Sequence, residues 1–188
     1  MNTMQFRTAI LMACLILTGL SCKKKSDNPI DHLPPLSTTG ANIFGCLVNG
    51  QAFLPKAAGV SGREPLNFSY GIANNKNYIS ISVESSGSKS SAYVQLFINA
   101  TAFKQGDEYT FGSGPRLNDN PSAHYNYSGP KDSYGTDYNT NNQVNGKLHL
   151  IYFDGKIASG IFSFDAVNDA GEKVEIREGR FDLKLRNF

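Results

Sequence analysis

Residues Gly146–Leu185 read GKLHLIYFDGKIASGIFSFDAVNDAGEKVEIREGRFDLKL, and their apolar positions recur every second residue. Leu148, Leu150 and Tyr152 lead into an Asp154-Gly155 turn, and the chain returns through Ile157 to Phe162 and Phe164. Val174 and Ile176 form a short arm, after which Phe181, Leu183 and Leu185 alternate with Arg180, Asp182, Lys184 and Arg186. A period of two puts successive side chains on opposite faces of a strand, and Asp-Gly between two such runs is a hairpin signal. The stretch therefore predicts antiparallel strands with one apolar and one polar face.

The same period extends toward the N-terminus. Phe44, Cys46 and Val48 alternate with Gly45 and Leu47, Asn49-Gly50 turns the chain, and Ala52 to Leu54 returns. Leu66, Phe68, Tyr70 and Ile72 form a further run, as do Ile79, Ile81 and Val83, and then Val94, Leu96 and Ile98. Outside the N-terminal leader no stretch keeps helical apolar spacing over three turns; one short helix or turn fits near Lys56 to Val60. The expectation is an all-β domain, a single antiparallel β-sandwich or open barrel of eight or nine strands spanning residues 41–188.

Composition agrees with one globular domain. The 188 residues are 40% hydrophobic and 11% aromatic with a formal charge of +2, which argues against disorder and supplies no basic footprint for nucleic acid. Three Cys are too few and too odd in number for a disulfide scaffold.

Residues 1–21 carry one cation, Arg7, then an apolar run from Ala9 to Leu17, too short for the roughly 20 residues that span a bilayer. Ser21-Cys22 after this run resembles the lipobox of bacterial lipoproteins, although Gly19 stands where that motif usually has Leu or Val. Leu11-Met12-Ala13-Cys14 is a rival, but cleavage there would leave Leu15 to Leu20 exposed. The resemblance implies a signal peptide over residues 1–21, acylation of Cys22 and anchoring to the membrane through it. The residue after the Cys is Lys23 and not Asp, which by the familiar sorting rule implies the outer membrane. Residues 22–40, with three Lys and three Pro, read as a flexible tether reaching roughly 20–25 Å. Cys46 then reads as a small buried hydrophobe.

The block from Gly146 onward, together with FGCLVNG at Phe44–Gly50, is similar to a family of uncharacterised lipoproteins from Bacteroidota-type bacteria. The resemblance implies an all-β lipoprotein domain and supports Cys22 as the anchor; it brings no catalytic residues.

No motif for catalysis, cofactor or metal emerges. His124 and His149 are isolated, Gly112-Ser113-Gly114 lacks the nucleophile-elbow frame, and there is no CxxC, HExxH or P-loop. A carboxylate pair for a hydrolase would need two groups about 5–9.5 Å apart. Of the acidic residues near the C-terminal hairpin, Glu175 and Asp182 fall on outward strand positions and read as solvated surface.

Periodicity leaves Gly112–Gly146 unexplained. It gathers Tyr125, Tyr127, Tyr134 and Tyr138 with His124, Asp119, Asp132, Asp137 and many Asn. Tyr offers a flat apolar face with a polar tip, so these four are the candidate binding residues for a glycan, peptide or partner protein. Ala123, Tyr125 and Tyr127 also fit one more strand beside an ordered loop. Calcium at Asp119, Asp132 or Asp137 is conceivable, with a spacing that matches no known loop. The reading is a non-enzymatic envelope lipoprotein; its rivals are a small carboxylate hydrolase and an assembly subunit whose exposed edge strand a partner extends.

The anchor has a direct check. Labelled fatty acid should be incorporated into the wild-type chain and not into Cys22→Ala, and the variant should leave the membrane fraction; unchanged membrane retention would refute acylation at Cys22.

Overall fold

The computed structural model describes residues 28–57, 64–112, 120–130 and 134–185. Among them eleven strands form one antiparallel, unclosed sheet: β1 (Ile43–Val48), β2 (Gln51–Phe53), β3 (Leu66–Ala73), β4 (Lys76–Ser86), β5 (Ser91–Ala100), β6 (Glu108–Phe111), β7 (Ser122–Ser128), β8 (Thr136–Asn139), β9 (Gly146–Phe153), β10 (Ile157–Val167) and β11 (Lys173–Lys184). One half runs β2-β1-β11-β10-β9-β6 and the other β3-β4-β5-β7-β8; they join where Val167 at the tip of β10 bridges Asn139. The all-β expectation holds, with two more strands than its upper figure.

The difference in number has two causes. β6, β7 and β8 come from residues whose alternation is short or mixed with polar side chains. Conversely, the Val174 arm and the Phe181 run are one strand, β11, interrupted by a bulge at Glu178-Gly179, where Glu178 adopts φ +54°. An extra residue flips the side-chain parity, so Val174 and Ile176 before it and Phe181 and Leu183 after it all point inward.

The inward faces make one core. Ile79, Ile81 and Val83 of β4 and Val94, Leu96 and Ile98 of β5 join Phe44, Cys46, Leu150, Phe164 and Ile176 from the other half. Burial pushes the Cys46 thiol far above its ordinary range, as expected for a core thiol. Tyr70, Phe103, Tyr109 and Phe153 form an edge-to-face cluster, with ring centroids 5.1–6.3 Å apart, that packs β3 against the end of β9.

Glycine opposite phenylalanine sets the spacing of β9, β10 and β11. Gly160 pairs with Phe181, Gly179 with Phe162 and Gly146 with Phe164. A Cβ at Gly179 would lie 2.5 Å from the Phe162 ring, and one at Gly146 would lie 2.2 Å from both Phe164 Cβ and the Ser163 carbonyl. At Gly160 and Gly179 the facing ring takes up volume that a side chain would need, and at Gly146 the Phe164 Cβ and the Ser163 carbonyl do.

Residues 28–40, expected as part of a free tether, lie against the sheet. Asn28 caps a 3₁₀ turn at Pro29–His32, Leu33 is buried, and Pro34 rests on Gly45, where a Cβ would stand 2.6 Å from Pro34 Cδ. The strap then crosses β11 at Asp182. That carboxylate accepts hydrogen bonds from the backbone N–H of Thr39 (2.9 Å), Gly40 (2.8 Å) and Ala41 (3.1 Å) and from the Ser37 hydroxyl. Asp182 is on the outward face, as its parity requires, yet it is 0% exposed because the strap covers it. Burial opposes its ionisation, but the Ser37 and backbone donors outweigh it and hold the carboxyl below the usual aspartate range.

A group whose folded value is lowered stabilises the fold above its unfolded value, about 3.9, and that contribution disappears as pH falls through the folded value. Urea unfolding should therefore show stability level near neutrality and an acid loss below about pH 4. Asp182→Asn, which turns an amide N–H₂ toward backbone donors, should cost about 3 kcal/mol at pH 7 and flatten that acid slope. An unchanged midpoint would contradict the role given to Asp182.

Candidate functional site

Most of the tyrosine-rich segment is ordered sheet, and the register sorts its residues between two faces. Tyr125 lies opposite Val94 and Tyr138, so its ring points into the core; it is 7% exposed, with the Tyr138 centroid 5.9 Å away. Burial is the leading cause that pushes its hydroxyl up to about 12. Tyr125 and Tyr138 thus pack on the core side of the sheet. Tyr127 has the same parity but sits at the strand end and is 45% exposed, and Tyr134, in the β7–β8 connection, is 95% exposed. Of the four candidates, Tyr134 alone borders the polar hollow described next.

Outward-facing neighbours build that hollow. Tyr93 of β5 pairs with Asn126 of β7, which pairs with Asp137 of β8; one pleat along, Gln95 pairs with His124 and His124 with Asn139. Tyr93, His124, Asn126, Tyr134 and Asp137 line a hollow of about 300 Å³. His124 is buried, and its Nε2 stands 2.6 Å from Asp137 Oδ1, which also accepts from Asn126 Nδ2 at 2.9 Å. The two partners hold the Asp137 carboxylate, which is itself half exposed, in a fixed direction. Gly135, at φ +74°, brings the connection close to β7: a Cβ there would be 2.6 Å from Asn126 Oδ1. The positive φ favours glycine between Tyr134 and β8.

Thr140 fixes the far end of β8. Its buried hydroxyl accepts from Ala123 N–H at 3.1 Å and donates to Gly112 O at 2.9 Å, which ties the segment's two ends together. Along β5 the same outward face continues through Gln95 to Phe97, whose ring stacks on Tyr78 at 6.0 Å and 22°. Tyr93 and Phe97 are four residues apart, about 13 Å along the strand. The face offers flat rings separated by amides and one oriented carboxylate.

A second depression, of about 460 Å³, lies on the outward face of β6, β9, β10 and β11. Glu108, His149, Ile161 and Arg180 form one cross-strand row in it, and Glu178 at the bulge pairs with Arg180 at 3.4 Å. Glu108 and Glu178 share this groove, but β6 and β11 are three interstrand steps apart, about 14 Å at the backbone. Asp165 is held by Arg177 (2.6 Å) and Lys173 (3.3 Å), which with Glu175 make a surface ion network.

Among the described residues no group of three or more His, Cys, Asp or Glu converges as metal ligands, and no helix is long and apolar enough to cross a membrane. Cys22, Asp119 and Asp132 lie outside the described residues. His124 with Asp137 is the pair that sequence reading missed: they are 13 residues apart, on different strands. No protein-family model, curated protein or solved structure matches this chain.

The sorting of the tyrosines can be measured as stability. Tyr125→Ala should cost about 3–5 kcal/mol in urea unfolding, as large-to-small core changes do. Tyr134→Ala should stay within about 0.5 kcal/mol, as an exposed position should. Equal effects would overturn the assignment of faces.

Proposed function

We propose that this chain is a lipid-anchored envelope protein, acylated at Cys22 and held at the outer membrane, whose β-domain binds a glycan without chemical turnover. The observation that carries the binding proposal is the outward face of β5, β7 and β8. Tyr134 and Tyr93 flank Asn126 and an Asp137 carboxylate that His124 holds in place. Sugar rings present an apolar face edged by hydroxyls. Aromatic rings cover the first, and amide and carboxylate groups accept from or donate to the second. The Tyr78–Phe97 stack further along the face favours an extended chain over a single sugar. The anchor rests on the lipobox-like Ser21-Cys22 that follows an apolar run too short to span a bilayer.

A panel of envelope and dietary polysaccharides, presented to the purified chain in affinity electrophoresis, tests this reading. At least one should retard the wild type, and Tyr134→Ala and Asn126→Ala should each weaken binding about tenfold, a loss of about 1.4 kcal/mol. No retardation by any polysaccharide, or retardation that Tyr134→Ala leaves intact, would overturn it.

A further inference from the structure

Seven large hydrophobic side chains are well exposed among the described residues, and four of them, Ile30, Leu36, Leu54 and Ile161, gather along the strap. The 3₁₀ turn that carries Ile30 lies beside β2, and Leu54 directly follows that strand. A Cβ at Gly45 would stand 2.6 Å from Pro34 Cδ and 3.1 Å from Leu54 Cδ2, so the strap and the end of β2 meet over the outward face of β1. Leu36, two residues further along the strap and 57% exposed, shares the groove on β10 and β11 with Ile161. Single exposed aliphatics need no explanation, whereas a run of neighbours marks an interaction surface.

The anchor determines what lies next to this run. Only Lys23 to Asp27 stand between Cys22 and Asn28, so an acylated Cys22 keeps Asn28 within about 20 Å of the lipid in any conformation of that span. Ile30 is two residues further on. Three of the five intervening residues are Lys, and Lys147, Arg177 and Arg180 line the groove beside Leu36 and Ile161, together with Glu108 and Glu178. Between Asn28 and Ala41 the strap has no Lys or Arg and one carboxylate, Asp31. Aliphatic side chains bordered by cations suit the boundary where acyl chains meet anionic headgroups.

We propose that the strap side is a membrane-docking surface, on which Ile30, Leu36 and Leu54 enter the headgroup region of the leaflet that holds Cys22. The inference rests on acylation at Cys22, and it adds an orientation to the anchor. The inward faces of the two sheet halves share one core, so their outward faces look away from each other. Docking by the strap side therefore directs the hollow of Tyr93, Asn126 and Asp137 away from the bilayer, where a polymer can reach it. The lipid holds the domain at two places, by acyl chains at Cys22 and by the aliphatic side chains of the strap.

The chain has no Trp, so a single introduced Trp is its only indole reporter. The acylated full chain, purified in detergent and reconstituted into vesicles of phosphatidylethanolamine and phosphatidylglycerol, should float with them. When the acyl chains of those lipids carry bromine, Leu36→Trp and Leu54→Trp, both at exposed positions, should lose most of their emission. Tyr134→Trp, on the opposite side, should keep its emission. Leu36→Asp added to the Leu54→Trp chain should restore emission while the protein still floats. Protein that floats with the Leu36 and Leu54 reporters unquenched would overturn the docking and leave the anchor standing. Quenching of Tyr134→Trp to the same extent, or a Leu54→Trp emission that Leu36→Asp leaves quenched, would also overturn the docking. Protein that does not float would overturn the anchor and the docking together.

Discussion

The architecture depends on how closely β9, β10 and β11 approach, and the approach is set by phenylalanines standing opposite glycines. Phe162 covers Gly179, Phe181 covers Gly160, and Phe164 fills the space beside Gly146. Each pair joins two neighbouring strands, and β10 takes part in all three. β10 is also the strand whose tip joins the two halves, through Val167 and Asn139. Any added volume at these glycines would separate strands that must stay within hydrogen-bonding distance, and the misfit would extend to the β8 end of the sheet's other half. Interiors packed at crystal-like density do not absorb such changes locally.

Much of this was legible in the sequence because a strand's side-chain period is short-range information. Alternation at Ile79–Val83 and Val94–Ile98, and the Asn49-Gly50 and Asp154-Gly155 turns, needed only neighbours to be read. The continuity of β11 was not read: the change of parity between Ile176 and Phe181 split it into two arms, and only the pairing with β10 shows one strand with a bulge. Asp182 was harder. Its outward position was correctly read, but its burial comes from Ser37–Ala41, more than 140 residues away along the chain. The sorting of the tyrosines was out of reach for a related reason. Tyr125 and Tyr134 have the same chemistry, and only the pairing of β7 with β5 and β8 decides which one faces solvent.

The two halves share a core but present different outer surfaces. Around β9, β10 and β11 the outside is ionic, with Lys173, Asp165, Arg177 and Glu175 linked in one network and Arg180 paired to Glu178. Around β5, β7 and β8 it is aromatic and amide-rich, with a carboxylate held by hydrogen bonds to a histidine and an asparagine. An ionic face remains well solvated beside other charged surfaces. The aromatic face keeps flat apolar area in contact with water, area that a ligand can remove.

The Asp182 cradle has a mechanical consequence. Five residues separate Cys22 from Asn28, so a chain fixed at Cys22 would place Asn28 no more than about 20 Å away. Tension along the N-terminus would not peel β1 from its edge first. It would reach the Leu33 and Pro34 contacts and then pull sideways on three backbone N–H groups converging on one carboxylate in the middle of the sheet. Bonds loaded together in this way share the force, so a pull on the strap would be carried into β11 by several bonds at once and not by the β1 edge alone.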